Sequence, residues 1–396
     1  MSEWTTVKLI DIAAAEPSAI SKPYGSAILQ SDYRLQGIPV VRGVNLAQGR
    51  FLDDKFVYID EAVAARMPGA RLRSGDLVVT HRGTIGQVSM IPRRSRFETY
   101  AASTSHVKVR LNERRALPEY VYYWFLSPAG RRSILERAST VGVPGIAQPV
   151  ATIKSLELRL PALPEQRAIA EVLGALDDKI AASAAITEKA DALAGTTYES
   201  VATENIPLSS LARFVNGKAF TKGASGTGRV VIRIAELNSG LGGSTVYNDI
   251  EVADDHVARP GDLLFAWSGS LTAARWFRTE AIINQHIFKV VADRGRPLWL
   301  VNQAVRSKLA EFKAIAADKA TTMGHIQRRH LEQPVAIPSP EVVERIDGIM
   351  TGLWDTALAA ELERERLAAT RDELLPLLMS GRITVRDAEE VAEAAT

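Results

Sequence analysis

Six histidines, one glycine-rich run and a large set of arginines are what this 396-residue chain offers to chemistry. The run Lys222-Gly223-Ala224-Ser225-Gly226-Thr227-Gly228 has the glycine content of a phosphate-cradling loop. It lacks the closing Gly-Lys-Ser/Thr that sets a lysine on the phosphates, so it reads as a plain loop. His81, His106, His256, His286, His325 and His330 show no His-Glu-x-x-His or comparable metal spacing. No Gly-x-Ser-x-Gly elbow, no Asn-Pro-Pro-Tyr-like tetrapeptide and no Asp…Glu-x-Lys nuclease triplet occurs. The absence of cysteine excludes disulfides, thiolate metal sites and cysteine nucleophiles, and fits a reducing cytoplasm. Arginine chemistry remains. A guanidinium fork can hold an anion bidentately, and any cation can neutralise one. Near predicted turns the candidates for contact with a polyanion are Arg42, Arg71, Arg73, His81, Arg82, Arg93, Arg94 and Arg96. The second half adds Arg233, Trp267, Ser268, Arg275, Arg278, Arg328 and Arg329. The chain reads as a binder and not a catalyst.

The elements that position these residues occur twice. Arg73-Ser74-Gly75-Asp76-Leu77-Val78-Val79-Thr80-His81-Arg82-Gly83 returns as Arg259-Pro260-Gly261-Asp262-Leu263-Leu264-Phe265-Ala266-Trp267-Ser268-Gly269. Val40-Val41-Arg42 with Asn45-Leu46 matches Val231-Ile232-Arg233 with Leu237-Asn238. Thr104-Ser105-His106-Val107-Lys108-Val109 matches Asn284-Gln285-His286-Ile287-Phe288-Lys289-Val290, and Leu160–Glu165 matches Ile337–Glu341. The repeat is far longer than a solenoid unit, so two copies of one large module lie in tandem. Ser105, His106, Gln285 and His286 recur in both copies and are read as structural, because residues that specify different sequences should differ.

Short apolar or β-branched runs bounded by Gly, Pro or Asp predict strands at Ile38–Val41, Leu77–Thr80, Val107–Leu111, Val230–Ile234, Leu263–Trp267 and Ile282–Val291. Helices are predicted over Glu119–Arg137 and Leu298–Ala317, giving mixed α/β modules. After each module comes a heptad seam. The first runs through Ile169, Leu173, Leu176, Ile180, Ser183, Thr187, Ala190 and Ala194. The second runs through Ile346, Met350, Leu353, Ala357, Ala360, Arg364 and Leu367. Two helices of about 30–35 residues, each about 45–50 Å long, are expected to pair antiparallel as a spacer. The predicted layout is a module over 1–163, a helix over 164–203, a module over 204–338, a helix over 339–385 and a frayed acidic tail over 386–396.

The net charge is only +2, but its distribution is uneven. Arg66–Arg115 holds eleven Arg/Lys against three acids, whereas Glu165–Glu204 holds three against eight. Basic modules thus alternate with acidic connectors, an arrangement that draws a polyanion to the modules. No run of about 18 apolar residues predicts a membrane span, and the start lacks the pattern of a signal peptide.

In order and duplication these motifs resemble the specificity (S) subunits of type I restriction–modification systems, over about residues 4–385. The stretches that carry the resemblance are Gly37–Arg42 with Asn45-Leu46, the repeated Gly-Asp-Leu strand with Asn284–Phe288, Leu160–Arg167 leading to Ile180, and the close Leu374–Ile383. The resemblance implies two target-recognition domains separated by the antiparallel coiled coil, pseudo-two-fold symmetric. It also implies double-stranded DNA, two methyltransferase (modification) subunits and two motor–nuclease (restriction) subunits as partners. The chain would bind no cofactor, and S-adenosylmethionine, ATP and magnesium would belong to the partners. The second helix start, Pro340-Glu341-Val342-Val343, lacks the glutamine that the first keeps as Gln166, which sets the partner contacts of the two helices apart. The competing reading is a coiled-coil adaptor that binds proteins and no DNA, favoured by the small net charge.

Overall fold

The computed structural model describes residues 4–24, 28–139, 144–293, 295–318 and 324–395. The chain forms two units, Met1–Asp178 with Leu367–Thr396, and Lys179–Arg366.

In the first unit, one four-stranded sheet has the order Ile20–Ser21, His106–Val109, Leu77–Thr80, Val88–Met90, antiparallel throughout. The other has the order Val57–Ile59, Ile38–Val41, Tyr100–Ala102, Arg71–Leu72, and its central pair is parallel, with Val40 opposite Ala101. The second unit repeats both. Its first sheet runs Ala212–Asn216, Ile287–Ala292, Leu263–Ala266, Thr272–Arg275, and its second runs Val246–Asn248, Arg229–Ile232, Ala281–Ile283, Val257–Ala258. The parallel pair recurs there with Val231 opposite Ile282. Each module is closed by an antiparallel pair at its ends, Thr5–Lys8 with Glu157–Leu160 and Glu204–Pro207 with Pro334–Ile337.

The repeated Gly-Asp-Leu motif has a structural cause. Asp76 accepts the Arg73 N–H at 2.9 Å, and Asp262 accepts the Arg259 N–H at 2.7 Å. Gly75 and Gly261 sit at φ +84° and +94°, where a side chain would be strained, and donate to the carbonyls of Ile91 and Trp276. The strands that follow are buried on both faces. Leu263 and Phe265 enter one apolar core and Leu264 and Ala266 another, which is why this strand reads as an unbroken apolar run.

Two predicted elements are divided. The expected strand Ile282–Val291 is two strands in different sheets, broken where His286 takes φ +72°. The expected helix Glu119–Arg137 is two, Pro118–Leu126 and Pro128–Leu135. Ser127 caps the second and Pro128 cannot continue the first. The tail, expected to fray, forms a helix over Val385–Ala394. Thr384 and Asp387 cap its start reciprocally, and its alanines favour the helical state.

The register also corrects the sequence match. Val78 pairs with Lys108 and Leu264 with Lys289, so these buried lysines correspond between the copies, and His286 is the equivalent of Ser105 rather than of His106. In the second unit Asp262 and the Val257 carbonyl hold the Lys289 ammonium at 3.0 and 2.7 Å. In the first, Arg110 engages Asp76 at 2.6 and 2.7 Å, and burial pushes Lys108 down to about 8. The folded state therefore holds this proton more weakly than the unfolded chain. Its cost is complete below pH 8 and fades as pH rises toward 10.5. Lys108→Met is expected to stabilise the protein by about 2–3 kcal/mol at pH 7, with the gain gone near pH 10.5. Denaturant melts across that range check this, and a gain independent of pH would contradict it.

Two long helices run through both units, Leu163–Val201 with 39 residues and Pro340–Ser380 with 41. At about 60 Å each they are longer than the heptad count alone suggested. In the first unit Arg371 donates to Asp177 at 2.8 Å. In the second, Ser183 donates to Glu363 at 2.8 Å, and the Thr187 hydroxyl lies 3.5 Å from the Ala357 carbonyl. The partner numbers fall as the others rise, so the pairing is antiparallel. Ile169, Leu173, Leu176, Ala357 and Leu367 are buried, and Ile180 is half-buried. Ile346, Met350 and Leu353 pack instead on the core of their own module. The second helix thus begins on its module and turns to its partner helix farther along.

Gln166 is wholly buried. Its amide accepts the Leu117 N–H at 2.9 Å and donates to the carbonyls of Pro161 and Arg115 at 2.8 and 3.2 Å. It fastens the first helix to its own module, so the valine in its place in the second copy marks a different fastening. There Trp299 donates to Asp347 at 2.7 Å.

Candidate nucleic-acid interface

The strands Leu77–Thr80 and Leu263–Ala266 each have two ends, and the candidate residues divide between them. At the Leu77 end are Arg71, Arg73, Arg93, Arg94 and Arg96. Arg71 pairs with Glu61. Arg93 forks onto Glu113 and Glu119 at 2.7–3.2 Å and is held well above its usual range by those hydrogen bonds. Arg96 lies over the Phe97 ring, and Arg73 and Arg94 are exposed. At the Leu263 end, Arg275 is enclosed by Asp191 and Glu361, and Arg278 donates to Glu365 at 2.9 Å. The three acids belong to the long helices. Arg275 is therefore buried against protein and not presented to DNA, and Arg278 is engaged in the same way.

At the other end a loop segment crosses each strand terminus. His81 N–H donates to the Ser105 carbonyl, the His81 carbonyl accepts from Ile146, and Gly83 N–H donates to Pro144. In the second unit Trp267 N–H donates to His286, the Trp267 carbonyl accepts from Ile326, and Gly269 N–H donates to Gly324. Arg82 bridges Gly145, and Ser268 bridges His325. The backbone scaffold is the same and the side chains differ. Arg82 stands where Ser268 stands, His81 where Trp267 does, and Gly145 where His325 does.

Arg82 is exposed, whereas His81 is nearly buried. His81 shares a hydrogen bond with the Thr104 carbonyl at 3.1 Å, and burial pushes its pKa down. Deeper burial pushes His106 down to about 4, so its ring is neutral near pH 7. Arg42 follows strand Ile38–Val41, whose last carbonyl accepts from Ser103, and it belongs to the same edge. Its guanidinium donates to the Lys55 carbonyl at 3.1 Å. Its counterpart Arg233 is neutralised by buried Glu236 at 2.6 Å. Trp267 packs on Phe288 and His286 and donates to Asn216 at 2.8 Å. Ser268 is buried, Arg328 donates to the Phe214 carbonyl at 3.0 Å, and Arg329 is exposed.

The structure adds residues that were not among the sequence's candidates for DNA contact. Gln148, at φ +47°, and Lys22 line a cleft of about 380 Å³ beside the His81 edge. Gln285 and His325 are exposed at the Trp267 edge. The signal for Gln148 and His286 is backbone strain, which a sequence does not display. Among the described residues, several buried polar atoms without a hydrogen-bond partner gather at these edges: Arg42 Nε, Thr80 Oγ1 and His106 Nε2 in one, His286 Nδ1 in the other. Most buried polar atoms in folded proteins are hydrogen-bonded. Also among the described residues, no group of three or more His, Asp or Glu could hold a metal, and no helix is long and apolar enough to cross a membrane.

The type I restriction modification DNA specificity domain, as a family model, matches residues 1–191. The matched stretch, just under half of the chain, is similar to the specificity family of type I restriction–modification systems. A curated relative, the type I restriction enzyme EcoBI specificity subunit of Escherichia coli, is 21% identical over 196 residues. That match spans 48% of this chain and 41% of the relative. The second half is reached by fold. The crystal structure of a type I restriction–modification S subunit from M. genitalium superposes with a TM-score of 0.59 at 14% identity, over 95% of this chain and 96% of that one. The fold that this likeness shows has two tandem modules, each followed by a long helix.

Proposed function

We propose that the chain is a DNA-reading subunit in which each loop-crossed edge reads one half of a two-part site through the major groove. Only there are all four base pairs distinguishable. The observation that carries this reading is one hydrogen-bonded scaffold presented twice with unlike side chains. Shared backbone geometry gives both edges the same docking, and unlike side chains give the two half-sites different sequences. The chain itself transfers no group. Two modification subunits supply the S-adenosylmethionine chemistry, and two restriction subunits supply the ATP- and magnesium-dependent motor and nuclease, in the cytoplasm. A mobility shift at low salt, with and without a modification subunit, tests the reading. A salt-sensitive shift is expected, since phosphate contacts release counterions. No shift under either condition, with partner binding intact, would make the chain a protein adaptor.

A further inference from the structure

Arg275 carries an inference beyond DNA reading, although it rests on that reading. Its side chain is 3% exposed. Nε donates to Glu361 at 2.9 Å, and both terminal nitrogens donate to Asp191 at 3.2 and 3.3 Å. The guanidinium lies 4.5 Å from the Trp354 ring centre, and Arg306 holds the other oxygen of Asp191 at 3.1 Å. Asp191 belongs to the first long helix and Glu361 to the second. One planar fork on a recognition-domain strand therefore grips both helices at once. A fork fixes orientation as well as distance, which a point charge does not.

The shared fold does not require this grip. Arg275 stands opposite Leu263, and the residue opposite Leu77 in the first unit is Met90. Nor can Arg275 serve the reading edge directly. It lies at the Leu263 end of a four-residue strand, about 13 Å from Trp267.

We propose that Arg275 is a positioning residue that locks the second recognition domain onto the two long helices, and thereby fixes the gap length tolerated between half-sites. One base pair more or less turns a half-site by about 35° around the duplex. A locked domain rejects that turn, and a loosened one follows it.

The test uses the full chain assembled with modification subunits, and selects bound DNA from pools whose gap varies. Arg275→Lys keeps the charge and loses the fork. Arg275→Met with Glu361→Gln removes the Arg275–Glu361 pair while filling the space and leaves Asp191 paired with Arg306, so a folded variant is at hand if the single change unfolds the domain. Cooperative melting establishes folding before each selection. Both variants should select unaltered half-sites. Their preference for the native gap over gaps one base pair shorter or longer should fall about tenfold. Changed bases in the second half-site at an unchanged gap would make Arg275 a DNA contact and overturn the proposal. A folded variant with the native gap preference would overturn it as well. A wild-type chain that selects no two-part site would remove the DNA reading itself, and the clamp's role with it.

Discussion

Inserting one heptad into each long helix, between Lys179 and Ile180 and between Arg366 and Leu367, is expected to lengthen the gap in the DNA site by about 3 base pairs. Both points lie inside the long helices, whose contacts pair them antiparallel within each unit. Seven helical residues add about 10.5 Å, against about 3.4 Å per base pair. The seam keeps its phase, since a heptad returns every apolar residue to the same face. Both half-sites should stay unchanged. Affinity for the original site should fall toward the non-specific level, a loss of about 10³ or more. Selection of bound DNA reads both outcomes, and an unaltered gap would show that the helices do not set the spacing.

Arg82→Ala is expected to weaken specific binding by about 5–150-fold, the 1–3 kcal/mol that one bidentate guanine contact supplies. The side chain is exposed at the loop-crossed edge, and the strand before it, Leu77–Thr80, is buried. The loss should appear as a relaxed preference at one base pair of one half-site. Binding measured across single-base variants checks this. An even loss over all variants, with the salt slope shallower by about 0.9, would assign Arg82 to a phosphate instead. Arg93→Ala is the natural comparison, because Glu113 and Glu119 already occupy its fork.

The same contrast shows what could be read from the residues alone. Gly75-Asp76-Leu77 and Gly261-Asp262-Leu263 disclosed the duplication, because a turn that needs φ > 0 and a carboxylate facing its own backbone tolerates few alternatives. Leu173, Leu176 and Ala357 disclosed the helix seam through their spacing. The fate of each arginine was not legible. Arg275 is separated from Asp191 by 84 residues and from Glu361 by 86, and nothing local announces that such groups meet. Pairing Arg42 with Arg233 by sequence also hid a difference, because only Arg233 is neutralised by a buried glutamate. The histidines misled for a simpler reason. One added residue before Lys289 shifts His286 by a position relative to His106, and the buried lysines, not the histidines, mark the true register.

Selection from random duplex DNA by the full chain with its modification subunits, at one stated salt concentration, tests whether two alike scaffolds with unlike side chains grip one duplex at a set interval. Two short motifs of different sequence, separated by unselected positions of constant number, are predicted. A single continuous motif, or enrichment no better than that of random duplex, would contradict the account.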